Sequence, residues 1–134
     1  KRAVLRCVSR RREVLAAWVF GSVAAGRARP DSDIDIAVLV RESARPSDRL
    51  RYRLDLMADL GARLKRFDVD VVVLNDATPL LAHRVLSKGT LVFERSASAR
   101  VRFQVMTAGR YLDLVPMYET QIRYLKKRAG ISLG

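Results

Sequence analysis

Gly21-Ser22 is followed, after ten residues, by Asp33-Ile34-Asp35, and these residue types at this spacing suit chemistry on a nucleotide. Asp33 and Asp35 open an apolar run that continues to Ala37-Val38-Leu39-Val40. Alternate residues of a strand point the same way, so both carboxylates share one face. Two anions that close together in a half-buried site need a compensating cation. Upstream, Trp18-Val19-Phe20 reads as the end of another strand, and Gly21-Ser22 as the turn that leaves it. A glycine there lets backbone N–H groups come close to a phosphate, and the serine adds a hydroxyl. The plainer reading makes Asp31, Asp33 and Asp35 a polar turn at a strand entrance. The upstream Gly-Ser pair and a further acid at Asp70 outweigh it.

These residues need a sheet to hold them. Val4 to Ala16 reads as an arginine-rich amphipathic helix with Val4, Leu5, Val8 and Leu15 on one face. A first strand follows over about 17–20. Ser22-Val23-Ala24-Ala25 begins a short helix whose N-terminus faces the phosphate site, residues 26–32 form a loop, and the second strand spans 34–40. Leu50, Leu54, Met57, Leu60 and Leu64 recur at helical spacing, which predicts an amphipathic helix over about 48–66. The third strand, about 68–74, carries three consecutive valines, as a strand buried on both faces would. Asp68 and Asp70 lie on one face of it and compete for the role of third acid; the Val-Val-Val-Leu-Asn that follows favours Asp70. Thr78 is placed to cap a helix through Ser87 closed by Gly89, and Thr90–Phe93 makes a short fourth strand. Residues from about 97 to 129 carry helical periodicity, broken or kinked at Pro116. Apolar residues spread around that last segment, among them Val101, Phe103, Val105, Met106 and Leu112, exceed what a short sheet needs. The fold class is therefore α/β of the α+β kind, a small mixed sheet with packed helices and a C-terminal helical tail.

Gly21-Ser22-x10-Asp33-x-Asp35 resembles the signature of the DNA polymerase beta-like nucleotidyltransferase superfamily. Val69-Asp70-Val71-Val72-Val73-Leu74-Asn75-Asp76-Ala77 is similar to the strand that carries its third carboxylate. The run from Val14 to Glu94, and the small size, resemble the minimal nucleotidyltransferases, or MNT proteins, which act as antitoxin partners of HEPN toxins. The resemblance implies one domain over 1–134, with a catalytic palm at about 14–94 and a tail at about 97–129. It also implies that Asp33, Asp35 and Asp70 are catalytic and hold two Mg²⁺ ions. Asp33 and Asp35 would take the nucleotide-associated ion and bridge to the second, which Asp70 would complete while helping to deprotonate the acceptor. Gly21 and Ser22 would bind the nucleotide.

The activity so implied is transfer of AMP from ATP to a hydroxyl, a tyrosine, of a partner HEPN toxin within a hetero-oligomer. Larger relatives carry further domains that grip base or acceptor, whereas only a helical tail follows Glu94 here. By analogy, a partner completes the site. The rivals are a stand-alone nucleotidyltransferase acting on a small hydroxyl compound and a non-catalytic antitoxin that works by binding alone. The acids at 33, 35 and 70 weigh against the latter.

Composition narrows the setting. The chain has 134 residues, 49% of them hydrophobic, enough for the core of one domain. No apolar stretch approaches the length of a membrane span, and the run after Lys1, which stands where a Met would begin, lacks a signal-peptide pattern. Cys7 is the sole cysteine, which excludes an internal disulfide and fits the cytoplasm. His83 is the sole histidine, which excludes a Ser-His-Asp triad and a His-based metal centre within one chain. The net charge of +12 comes from 21 Arg and 5 Lys against 14 acids. The arginines are scattered, apart from Arg10-Arg11-Arg12 and Lys126-Lys127-Arg128. That pattern favours a basic surface for a triphosphate or an acidic partner over direct nucleic-acid binding.

Overall fold

The computed structural model describes residues 2–21, 34–42, 46–65 and 68–130. The expectations for Ser22, the short helix and loop after it, and Asp33 fall outside the described residues. Four strands form one sheet: β1 (Val14–Phe20), β2 (Ile34–Val40), β3 (Val69–Val73) and β4 (Thr90–Glu94), in the order β3-β2-β1-β4. β1 runs antiparallel to β2 and β4, and β2 parallel to β3. Among the described residues the helices are α1 (Arg2–Ser9), α2 (Pro46–Leu64), α3 (Pro79–Lys88) and α4 (Ala97–Arg128), with a 3-10 turn at Leu74–Asp76.

Alternation along the strands divides the core in two. Val14, Val19, Ile36, Val38 and Val71 pack with Val8 of α1 and Leu56 and Leu60 of α2. Trp18, Ala37 and Leu39 face the other way and pack with Ala82 and Val85 of α3 and Phe103 of α4. The sheet is thus a middle layer with two helices on each side. Among the described residues no helix is long and apolar enough to cross a membrane.

The first helix is shorter than its periodicity predicts. Val14, Ala16 and Ala17 are fully buried in β1, the strand paired on both sides, so sheet pairing claims residues that a helix would bury along only one stripe. Arg95 fixes the junction: its Nη2 donates to the carbonyl of Ser9 at 2.7 Å and its Nε to that of Val14 at 3.0 Å. The third strand also differs from expectation. β3 is an edge strand, with Val69, Val71 and Val73 buried against α2 while Asp70 and Val72 are only partly covered.

In α2 the buried stripe is Leu56 and Leu60, flanked by Met57 and Leu64. Leu50 and Leu54 are exposed, lying about 100° and about 140° from the midpoint of Leu56 and Leu60 at 100° per residue. Arg53, in contrast, lies on it. Thr78 caps α3 as expected, accepting from Leu81 N at 3.2 Å, and Gly89 closes the helix with φ −77. Glycine is required at 89 by contact rather than by φ: a Cβ there would meet the carbonyls of Val85 and Val19.

The tail is one uninterrupted helix, with Pro116 inside it. The carbonyl that proline leaves without a partner belongs to Leu112, which is exposed, so water can satisfy it. At 1.5 Å per residue α4 is about 48 Å long. Phe103 packs on the sheet, Thr107 alone in the helix is buried, and Val105, Leu112, Ile122 and Leu125 are exposed.

Candidate active site

The two described acids of the motif are brought together by register. Asp35 of β2 pairs directly with Asp70 of β3, and on its other side with Phe20 of β1. Neighbouring strands lie roughly 5 Å apart, and paired positions in register share a face, so the two carboxylates stand side by side. Alternation puts them on the same side of the sheet as Ala37 and Leu39, at the N-terminal end of β2. Both are half-buried.

Gly21 comes immediately after β1 with φ +75, in the left-handed region that favours glycine. A Cβ at that position would overlap Asp35 Oδ2 and stand 3.3 Å from Asp35 Cγ. The glycine read as a phosphate-approach residue is therefore also the space that Asp35 occupies.

Asp70 is held by two donors. Its Oδ1 accepts from the N–H of Val71 at 2.9 Å and from Arg53 Nη2 at 3.0 Å, and Arg53 Nε donates to the carbonyl of Val71. Sequence reasoning passed over Arg53, since an arginine in an amphipathic helix ordinarily reads as solvated. The available signal was its place on the stripe that carries Leu56 and Leu60. Asp68 has a different position from Asp70: its carbonyl accepts from Ile34 N at 2.9 Å, extending the β2–β3 ladder by one step. Register thus sets Asp70, not Asp68, opposite Asp35.

The donor set suits a hard divalent cation. Paired, partly exposed carboxylates are the oxygen ligands Mg²⁺ takes, with water and substrate phosphates filling the rest of its octahedron. Among the described residues no three His, Cys, Asp or Glu converge; Asp33, the expected third member, lies outside them. Asp35 and Asp70 are partly exposed. A cleft of about 970 Å³ lies elsewhere, lined by Leu39, Val40, Arg41, Leu74, Phe103 and Arg110 among others. Val40 is five residues along β2 from Asp35, about 16 Å away at the rise of a strand.

A four-stranded mixed sheet with acids paired across its two parallel strands, beside a glycine turn, is the architecture of a nucleotidyltransferase. Residues 4–98 match the family model described as polymerase beta, nucleotidyltransferase, and the chain belongs to that family. Among solved structures it is similar to a chain of a toxin-antitoxin with AMP-PNP, at 25% identity and a TM-score of 0.79, covering 92% of this chain and 96% of that one. A chain from the complex of tri-AMPylated Shewanella oneidensis HEPN toxin with MNT antitoxin is also 25% identical, with a TM-score of 0.68 over 91% of this chain and 89% of that one. The toxin-antitoxin MntA-HepT shares the fold at 23% identity, with a TM-score of 0.71 over 92% and 94%. A comparison with curated proteins gives no match.

Proposed function

We propose that this chain is a metal-dependent adenylyltransferase antitoxin that transfers AMP from ATP to a tyrosine hydroxyl of a HEPN-type toxin and thereby neutralises it. The observation that carries the reading is the Asp35–Asp70 pair, set in a fold similar at 25% identity to the complexes with AMP-PNP and with an AMPylated HEPN toxin. The partner hydroxyl attacks the α-phosphorus, the bond to the pyrophosphate oxygen breaks, and the hydroxyl proton passes towards Asp70. Gly21 and Ser22 hold the triphosphate through backbone N–H groups and the serine hydroxyl. Asp33, Asp35 and Asp70 would hold two Mg²⁺ ions, which supply charge stabilisation for the attacking and leaving oxygens. Asp35 and Asp70 are partly exposed, so the partner protein completes the enclosure in a hetero-oligomer. The exposed apolar residues of α4 give that partner a surface. The setting is cytoplasmic, where Cys7 stays a thiol.

Incubation of the chain with its co-encoded partner and MgATP tests this. Intact-mass spectra should show about 329 Da added to the partner per transfer, the mass of an adenylyl group. Absence of the adduct, together with turnover of a small hydroxyl acceptor, would replace the antitoxin reading with that of a stand-alone enzyme.

A further inference from the structure

Arg53 occupies a position that the amphipathic pattern of α2 reserves for an apolar residue. Seen down the helix it lies within the stripe of Leu56, Met57, Leu60 and Leu64, which pack towards the sheet. Its guanidinium reaches the open edge of β3, where Nε donates to Val71 O and Nη2 to Asp70 Oδ1. The side chains of Arg53 and Asp70 are 39% and 49% exposed, and an ion pair that exposed adds little to folding. Its effect falls instead on the acid it touches, which stands beside Asp35 in register.

We propose that Arg53 is a positioning residue and resident counter-cation that keeps the affinity of the Asp35–Asp70 pair for a divalent ion low until a nucleotide arrives. This rests on the metal role proposed above for those acids. Two effects of Arg53 oppose each other. It restrains the Asp70 carboxylate, which favours binding of an ion, and its positive charge a few ångströms away repels that ion. The restraint is shared, because the N–H of Val71 holds the same Oδ1 at 2.9 Å. Of these two donors to Asp70 only Arg53 carries a charge, so the charge decides the sign. A triphosphate brings several negative charges to the same site and offsets the guanidinium. Ion and nucleotide then bind as a coupled pair, each weakly alone.

Mn²⁺ titration without nucleotide, followed by electron paramagnetic resonance, measures this directly. Arg53→Met, and Arg53→Gln as a second neutral variant, should bind Mn²⁺ roughly tenfold more tightly than wild type. Arg53→Lys should stay close to wild type, since it keeps the charge. ATP should tighten Mn²⁺ binding less in the neutral variants than in wild type. Thermal melts in chelator identify the variants that remain folded. Unchanged or weaker Mn²⁺ binding in both folded neutral variants, with Asp35→Asn still abolishing binding, overturns the role of Arg53 alone. If wild type takes up no Mn²⁺ even with ATP, the metal reading of the acids falls and this role with it.

Discussion

Gly21 and Asp35 interlock: the volume that a Cβ would fill at Gly21 is the volume taken by Asp35 Oδ2. Gly21→Ala therefore acts twice. It places an L side chain at φ +75, a strain of about 1–2 kcal/mol, and it pushes a candidate metal-binding carboxylate out of register with Asp70. Thermal melts should show the strain. Calorimetry should show weakened Mg²⁺ binding as well as weakened binding of a non-hydrolysable ATP analogue. Loss of nucleotide affinity with metal affinity intact would mean that the residue serves the phosphate alone.

Charge removal without change of volume separates chemistry from folding. Asp35→Asn and Asp70→Asn should each lower nucleotidyl transfer by at least about a hundredfold. The double variant should be little worse than either single one, because the acids act as a unit. Asp70→Asn also strips Arg53 of its ionic partner, yet the exposure of that pair keeps the stability cost below about 1 kcal/mol. Near-normal transfer by Asp35→Asn in labelled-ATP assays would move the active site elsewhere.

Away from these acids, the Cys7 thiol donates to Asp59 Oδ2 at 3.0 Å, and the same carboxylate takes Arg63 Nε at 3.0 Å and Arg11 Nη2 at 3.4 Å. The thiol hydrogen bond, then the two arginines, hold the Asp59 carboxyl below its ordinary 3.8. A depressed carboxylate stabilises the fold above its unfolded pKa, and that stability disappears as pH falls through the folded value. Asp59→Asn should therefore cost up to about 1 kcal/mol at neutral pH, and the two stability curves should converge in strong acid.

For Cys7 the sign is opposite. Burial first, then the bond to Asp59, push its thiol from 9.0 to about 11. The contribution is full below pH 9 and is lost as pH rises from 9 towards 11. Native protein should resist a thiol reagent at pH 7.5 and react on unfolding. Rapid labelling of native protein would contradict the buried, hydrogen-bonded thiol.

His83 and Tyr111 stack face to face, their ring centroids 3.6 Å apart and their planes 2° from parallel, and this contact pins the middle of α4 to α3. Tyr111→Ala should cost about 1–2 kcal/mol in urea unfolding. Tyr124→Ala, at an exposed position, should change stability by no more than about 0.5 kcal/mol.

Much of this architecture is legible in the amino-acid order because strand and helix periods are local properties. Apolar runs at β2 and β4, the Thr78 cap and the helical period of the tail read correctly, although α4 runs unbroken through Pro116. The failures have non-local causes. Val14 to Ala16 fit a helix until the carbonyl of Leu15 is seen to accept from Arg95 N and Ser96 N, some 80 residues away. Three valines in β3 suggest double burial, but which strand ends up at a sheet edge depends on pairing order rather than composition. At the candidate site, Gly21 and Asp35 are proposed from residue type and spacing, and Asp70 from the likeness of its strand to the family's. The registers that join them, and the arginine between α2 and Asp70, come only from packing.

Arg53 and Asp70 also do for β3 what a further strand would do. Around the Val71 peptide the carboxylate accepts the N–H while the guanidinium donates to the carbonyl, and the two side chains bond each other. Edge strands with unsatisfied backbone invite pairing with other chains, a route to aggregation. Here the middle of that edge has its donor and its acceptor already engaged, and a charged pair stands where an incoming backbone would lie. The acid read as part of the reaction chemistry thus also occupies the middle of that edge. A variant that loses Asp70 loses that guard as well, even if the remaining sheet folds unchanged.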